Sequence, residues 1–257
     1  MATRILYLVR HGFHFTASNV SDPQDAALSL LGVEQALFTA QRFRLLPITA
    51  IYYSPLRRAA ETAHLIGRAL PETPLHLTQG LVECIPSIPA GYGNTLTYPP
   101  QRLAECRKRF DKAFEQFFKV ARGEDKHEIL VCHGNIIRYF ILRALNVATE
   151  AWGQLDMCNC AVSEVLISAD GALTLISHND VRHLPDHLII SLIGVRRAHA
   201  LFALAKMSCQ RGDLAEAQGY GDESIALFES ANDENAEQVR TWMAHQCQVE
   251  AAAYRRR

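Results

Sequence analysis

Long apolar runs are missing from this 257-residue chain, and so is any excess of charge of one sign. No stretch approaches the roughly 20 apolar residues that a helix needs to cross a bilayer, so no membrane span and no membrane partner are expected. The formal net charge is −1, with 26 Lys and Arg against 27 Asp and Glu. That balance argues against a nucleic-acid partner and against a polybasic membrane anchor. The one basic run, Arg255-Arg256-Arg257, reads as a solvated terminus. Regular cysteine spacing is missing as well. Seven cysteines make an odd count, and Cys158-Asn159-Cys160 is too short for a usual zinc pair. The expectation is reduced thiols. The amino terminus lacks the basic-then-apolar layout of a secretory signal. Together these absences point to a soluble, cytoplasmic protein.

What remains is ordinary globular material, 49% hydrophobic and 21% charged, enough for one sizeable core or a core with a smaller appendix. The most informative stretch comes early. Ile5 to Val9 reads as a short buried strand that ends abruptly in Arg10-His11-Gly12. In an open α/β sheet, ligands sit beyond the carboxyl ends of the strands, so Arg10 and His11 should face a cleft. A histidine there can attack phosphorus while the arginine holds the phosphate. Ile129 to Cys132 repeats the layout and ends in His133-Gly134-Asn135, with Asn135 as the expected cap of a helix over Ile136 to Leu145. A single histidine of this kind is usually structural; two strands ending this way suggest a shared site.

The intervening segments fit the same pattern. Phe13 to Asp25 is polar and reads as a loop over the cleft. Leu30 to Leu45 has helical spacing, with Leu30, Leu37, Phe38 and Leu45 as its apolar positions. Ile48 to Tyr53 is β-rich, and Ser54-Pro55 is a helix-start signal for a helix running to about Leu70. Arg57 and Arg58 fall in its first turn, where backbone N–H groups favour anions, although a solvated helix face is the bland alternative. Leu75 to Leu77 is a further short strand, and the proline- and glycine-rich stretch from Cys84 reads as a wall of the site. Leu103 to Val120 is an amphipathic helix whose phenylalanines are core. Val162 to Ile167, the turn Ala169-Asp170-Gly171 and Leu173 to Ser177 form an antiparallel edge hairpin. His178, Asp180, His183, Asp186 and His187 cluster, but their spacing matches no common metal-ligand pattern. From residue 189 onward only helix is expected: Ile189 to Gln210, Leu214 to Ser230 and Ala236 to Ala253, faintly like a tetratricopeptide pair. One such unit cannot bury its own face, so contact with the first domain, a second subunit or another protein is expected.

Six pieces of this sequence, in order, resemble the histidine phosphatase superfamily, the phosphoglycerate mutase-like family. They are Leu8-Val9-Arg10-His11-Gly12; Leu28-Ser29 with Gly32 and Gln35-Ala36; Ser54-Pro55-Leu56 with Arg58-Ala59 and Glu61-Thr62-Ala63; Leu81 with Glu83; Val131 with His133-Gly134-Asn135; and Asn179-Asp180 with His183-Leu184. The second arginine motif selects Arg58 over Arg57. Within the family the chain is most similar to the branch that contains the mitochondrial serine/threonine phosphatase, through Cys132 to Tyr139 and Ala151-Trp152. The short stretch between Glu83 and His133 leaves little room for the large cap insertion of true mutases.

The resemblance implies a three-layer α/β/α fold over residues 1–188, with a mostly parallel central sheet and an antiparallel edge. An all-helical extension, 189–257, lies outside it. It implies catalysis by His11, Glu83 and His133, with phosphate held by Arg10, Arg58, His133 and Gly134. His133 is expected to be protonated. No metal and no cofactor are implied, because arginines and histidines supply the positive charge. The implied substrate is a phosphate monoester, foremost on phosphoprotein. A small-molecule phosphatase or a phosphoglycerate mutase is the alternative within the class, and a non-catalytic scaffold working through its helical tail is the alternative outside it. Two positions depart from the family pattern: Phe13, where many members have Glu, Gln or Ser, and Ala17, where many place a phosphate-holding asparagine.

Overall fold

A computed structural model of the protein describes residues 2–14, 26–88, 98–230 and 233–254. The chain forms two compact units, Met1–Leu188 and Ile189–Arg257. Two elements of the sequence reading lie outside the described residues: all but the first two residues of the loop over the cleft (15–25, with Ala17) and residues 89–97 of the proline- and glycine-rich wall.

The first unit is built on a six-stranded sheet in the order β3-β2-β4-β1-β5-β6. β1 (Arg4–Arg10), β2 (Ala50–Tyr53), β3 (Leu75–Leu77) and β4 (Lys126–Cys132) are mutually parallel where they pair. β5 (Val162–Ile167) runs antiparallel to β1, and β6 (Leu173–Asp180) antiparallel to β5. Side chains alternate between faces along a strand. On one face Tyr7, Val9, Ile51, Ile129, Val131 and Val162 pack with Ala40 and Phe43 of α1 (Leu30–Phe43) and with Ala59, Ala63 and Ile66 of α2 (Arg57–Arg68). The other face carries Leu6, Leu8 and Leu130, all fully buried, on the side where Tyr52 meets Phe117 at the end of α3 (Pro100–Phe117). Phe110 of α3 in turn packs against Tyr139 and Phe140 of α4 (Gly134–Ala144). The architecture is therefore the expected three layers with an antiparallel edge.

Several local expectations change. The buried side of α1 is not its leucine row: Leu30 is 89% exposed and Leu45 94%. Gly32, Gln35, Ala36, Thr39, Ala40 and Phe43 are buried instead. Small residues let the helix sit close, and Gln35 is spent on backbone: its Oε1 accepts from Phe13 N–H at 2.8 Å and its Nε2 donates to Leu188 O at 2.7 Å. α2 begins at Arg57 behind Leu56, so Ser54 does not cap it through its side chain. α4 begins directly at Gly134 with His133 in the cap position, and Asn135 lies inside the helix. α3 covers an earlier span than its apolar pattern suggested, because Pro100 at its first turn starts it.

The expectation of reduced thiols fails. Cys84 and Cys106 form a disulfide with Cα atoms 5.9 Å apart. The loop after Glu83 runs beside α3, which brings the two cysteines together although 22 positions separate them. Cys209 is also disulfide-bonded. Cys132, Cys158 and Cys160 are free and buried.

The second unit holds α5 (Leu192–Gln210), α6 (Leu214–Ser230) and α7 (Asn235–Tyr254). Gly212 turns the chain between α5 and α6 with a φ of +81°, which glycine adopts without strain. Asp213 Oδ1 accepts from Glu216 N–H at 3.0 Å and so caps α6. Ala198, Phe202, Phe228, Ala236 and Val239 make the unit's own small core. Among the described residues, no helix is long and apolar enough to cross a membrane.

Candidate active site

The site forms where β1, β4 and β2 end together. His11 N–H donates to Cys132 O at 3.0 Å, and Ser54 N–H donates to Val131 O at 3.0 Å. These two bonds extend the sheet one residue past the strands and put His11, His133 and Ser54 side by side. The His11 and His133 rings lie 5.1 Å apart, centroid to centroid.

His11 is held closely. Its Nδ1 lies 2.8 Å from Gly12 O, and a carbonyl can only accept, so Nδ1 carries the proton. That leaves Nε2 with its lone pair, and Arg58 Nε donates to it at 3.2 Å. Asn159 Nδ2 donates to His11 O at 3.0 Å, and Thr62 Oγ1 accepts from Gly12 N–H at 3.0 Å while donating to Arg58 O at 2.8 Å. Burial, followed by the nearby His133, Arg10, Arg58 and His14, holds the His11 imidazole well below the ordinary histidine range. The ring is neutral at pH 7.

Gly12 meets a steric demand. A Cβ on it would lie 2.5 Å from Gly32 O, and a Cβ on Gly32 would lie 2.0 Å from Phe13 O. The nucleophile loop and the first turn of α1 thus touch backbone to backbone. Ser29 closes the junction: its N–H donates to Phe13 O at 3.0 Å, and its Oγ accepts from Gly32 N–H at 3.1 Å.

His133 is fully buried. Its Nε2 shares a 2.8 Å hydrogen bond with Ser54 Oγ, while its Nδ1 is buried without a partner among the described residues. Burial first, then Arg58 and Arg10, hold this imidazole well below its ordinary range. The protein's own groups thus favour the neutral ring, whereas the sequence reading has His133 protonated around a bound phosphate. Arg10 donates from Nη1 to Met157 O, and its Nε is buried without a partner among the described residues. Burial, together with Arg138, pulls the Arg10 guanidinium down to about 10, still charged at pH 7. A Cβ on Gly134 would sit 3.8 Å from Arg10 Nε and 3.9 Å from Arg138 Nη1, so Gly134 lies against both guanidiniums.

Glu83 stands at the edge of this group. Its Oε2 accepts from Asn135 N–H at 3.2 Å and its Oε1 from Cys84 N–H at 3.1 Å. Burial nevertheless raises its pKa above the usual carboxylate value, against the lowering effect of those bonds and of Arg58 and Arg10.

The structure thus brings Arg10, His11, Arg58, Glu83, His133 and Gly134 into one neighbourhood. It leaves Arg57 outside, paired with Glu61 at 2.8 Å on the surface. The closing motif is a brace. Asn179 Oδ1 accepts from Cys158 N–H at 2.7 Å, Asp180 pairs with Arg42 at 2.9 Å, and His183 Nε2 lies 3.1 Å from Thr39 Oγ1. Among the described residues, no group of three or more His, Cys, Asp or Glu is placed to hold a metal ion. Four further residues were not singled out from the sequence: Ser54 as partner of His133, Asn159 as support of His11, the buried Arg138, and His14. The His14 ring stacks on His11 at 5.2 Å. Arg138 was visible as an arginine among the apolar residues of a helix; His14 and Asn159 carried no signal.

Comparison with known proteins agrees with this layout. The chain is 33% identical to the mitochondrial serine/threonine-protein phosphatase Pgam5 of Caenorhabditis elegans over 196 residues, covering 73% of this chain and 66% of the relative. It is 31% identical to human PGAM5, covering 72% of this chain and 65% of the relative. The chain therefore spans about two thirds of the length of these relatives. Among solved structures, phosphoglycerate mutase from Plasmodium falciparum matches with a TM-score of 0.51 and 27% identity, covering 72% of this chain and 96% of that one. The expectation of a cytoplasmic protein is overturned by these relatives, whose names place them in mitochondria. A family profile described as the histidine phosphatase superfamily (branch 1) matches residues 6–87 and 89–181. On that match, and on relatives above 30% identity, this chain belongs to the histidine phosphatase superfamily.

Proposed function

We propose that the chain is a phosphoric monoester hydrolase that passes the phosphoryl group through His11, acting on phosphoserine or phosphothreonine in proteins. One observation carries the reading. The His11 Nδ1–H is committed to Gly12 O, so the lone pair sits on Nε2, with the Arg58 guanidinium 3.2 Å away. A nucleophile and an anion-holding group share one point in space.

The steps follow from the residues. Nε2 of His11 attacks phosphorus and the bond to the ester oxygen breaks. Arg10, Arg58, His133 and the Gly134 N–H at the amino end of α4 surround the phosphoryl oxygens. Preorganised donors of this kind are the largest source of rate for such a transfer. A phosphate dianion favours the charged form of His133, opposing the cations that keep it neutral. Glu83 protonates the departing oxygen, and its raised pKa suits it to act as an acid. Water then attacks the phosphohistidine, gives its proton to Glu83, and phosphate leaves. Arg10 and Arg58, joined by His133 once phosphate favours its charged form, supply the positive charge, so turnover is expected to need no metal.

The protein substrate rests on the names of the relatives and on the short stretch between Glu83 and His133. A phosphoglycerate mutase or small-molecule phosphatase is the second reading, favoured by the Plasmodium mutase match. A panel of phosphopeptides, sugar phosphates and phosphoglycerates, run with a chelator present, decides between them. Turnover is expected on the phosphopeptides. Mutase activity would move the chain to the other branch, and no turnover on any member would leave the scaffold reading.

A further inference from the structure

Glu83 sits on a segment with no helix or strand of its own. Its carboxylate is set by neighbours: Oε1 accepts from Cys84 N–H at 3.1 Å, Oε2 from Asn135 N–H at 3.2 Å, and Asn135 Nδ2 donates to Cys84 O at 3.2 Å. The backbone of Cys84 is therefore part of the carboxylate's mount. That backbone is bonded to α3 through the Cys84–Cys106 disulfide. One turn further along α3, Arg109 Nη2 donates to Val82 O at 3.2 Å. α3 thus holds the chain on both sides of Glu83, once covalently and once by a hydrogen bond.

We infer that the Cys84–Cys106 disulfide is a redox-sensitive positioning device for Glu83, resting on the acid role proposed for that residue. With the bridge closed, the carboxylate faces the leaving oxygen; with it open, Arg109 is the hydrogen-bonded tie of the segment to α3 that remains among the described residues. The opening is an exchange with a dithiol reductant. One reductant thiolate attacks a bridge sulfur and the S–S bond breaks to a mixed disulfide. The second reductant thiol resolves this, two protons finish on Cys84 and Cys106, and the reductant leaves as a cyclic disulfide. Cys84 is half-buried, whereas the free Cys132, Cys158 and Cys160 are buried beyond reach of the exchange. Neither bridge sulfur touches His11, Arg10, Arg58 or His133 in the described contacts, so nucleophilic attack is left intact.

That separation makes the effect readable through the leaving group. A serine alkoxide leaves poorly and needs the acid; nitrophenolate leaves well and does not. The test compares the pre-steady-state rate of His11 phosphorylation, the step before water draws on Glu83, on a phosphoserine peptide and on p-nitrophenyl phosphate for the oxidised protein and for the double variant Cys84→Ser, Cys106→Ser. The variant leaves the disulfide at Cys209 closed. General acids contribute roughly 10²–10⁴, so partial misplacement is expected to lower the phosphorylation rate from the peptide by about tenfold or more. On p-nitrophenyl phosphate the change should stay within about twofold. Dithiothreitol on the wild-type protein should reproduce the split, and reoxidation should reverse it, which keeps the test open if the double variant folds poorly. Equal loss on both substrates would make the bridge merely structural, and no loss on either would also overturn the inference. Absence of turnover by the oxidised wild type on both substrates would instead sink the phosphatase reading.

Discussion

At the scale of single residues, the site depends on a few contacts that leave no slack. Gly32→Ala would drive a methyl group to within 2.0 Å of Phe13 O, so backbone must move. Overpacking of this kind costs about 1–3 kcal/mol. An unfolding free energy in urea lowered by that amount is expected, together with a fall in kcat, since His11 and Phe13 share one loop; an unchanged unfolding free energy would refute the close junction. Ser54→Ala removes the partner of His133 Nε2. A buried hydrogen bond contributes about 1 kcal/mol net to stability and a partner left unpaired costs about 1–3 kcal/mol, so stability should fall by about that much, and kcat should fall as the His133 ring loses its orientation. Steady-state kinetics beside a thermal melt separate the two effects. Arg10, His11, Arg58, Glu83 and His133 were all legible from motif and strand-end position. Ser54 was read wrongly, because a serine before a proline looks like a helix cap, and only the fold shows it facing a histidine from another strand. His14 was invisible, since stacking on His11 depends on how the loop turns.

At the scale of elements, the sheet and its helices were legible from apolar runs and turn residues, while faces and ends were not. The α1 stripe failed because close packing selected small residues and a glutamine over leucines. At the far end of the sheet from the site, Arg4 pairs with Glu128 at 3.3 Å, both nearly buried, and Arg4 Nη1 donates to Phe117 O at 2.8 Å. This joins β1, β4 and α3. Glu128→Gln leaves the arginine charge uncompensated, and breaking a buried pair from one side costs about 3–5 kcal/mol. Denaturant unfolding should show a loss near the lower figure, because the Phe117 carbonyl remains, with KM unchanged. Loss of activity without loss of stability would contradict this structural role.

For the whole molecule, buried neutral imidazoles set the response to acid. Burial pulls His183 down to about 4, and holds His11 and His133 lower than usual. An unfolded histidine takes up its proton near pH 6.5, so over this window the unfolded chain binds more protons than the folded one. Their stabilisation is complete above about pH 6.5 and is lost as pH falls toward the folded values. Asp180 adds a separate loss at lower pH: Arg182 and Arg42 hold its pKa below the usual range, so its contribution is present above about pH 4 and fades below that. Chemical denaturation across pH 4 to 7.5 should show stability declining from near neutrality, with His183→Gln flattening the slope. A flat profile in the wild type would show the imidazoles to be solvated. Every site residue lies in the first unit, so residues 1–188 alone are expected to retain turnover, which a kinetic comparison with the full chain checks.

The central claim is that His11 itself receives the phosphoryl group. The direct measurement is to mix the protein with ³²P-labelled phosphopeptide, quench in alkaline detergent, and map the label. Label on His11, stable to base, lost in acid and missing from His11→Ala, is the predicted result. Turnover with label on a serine or cysteine, or undiminished turnover by His11→Ala, would contradict it.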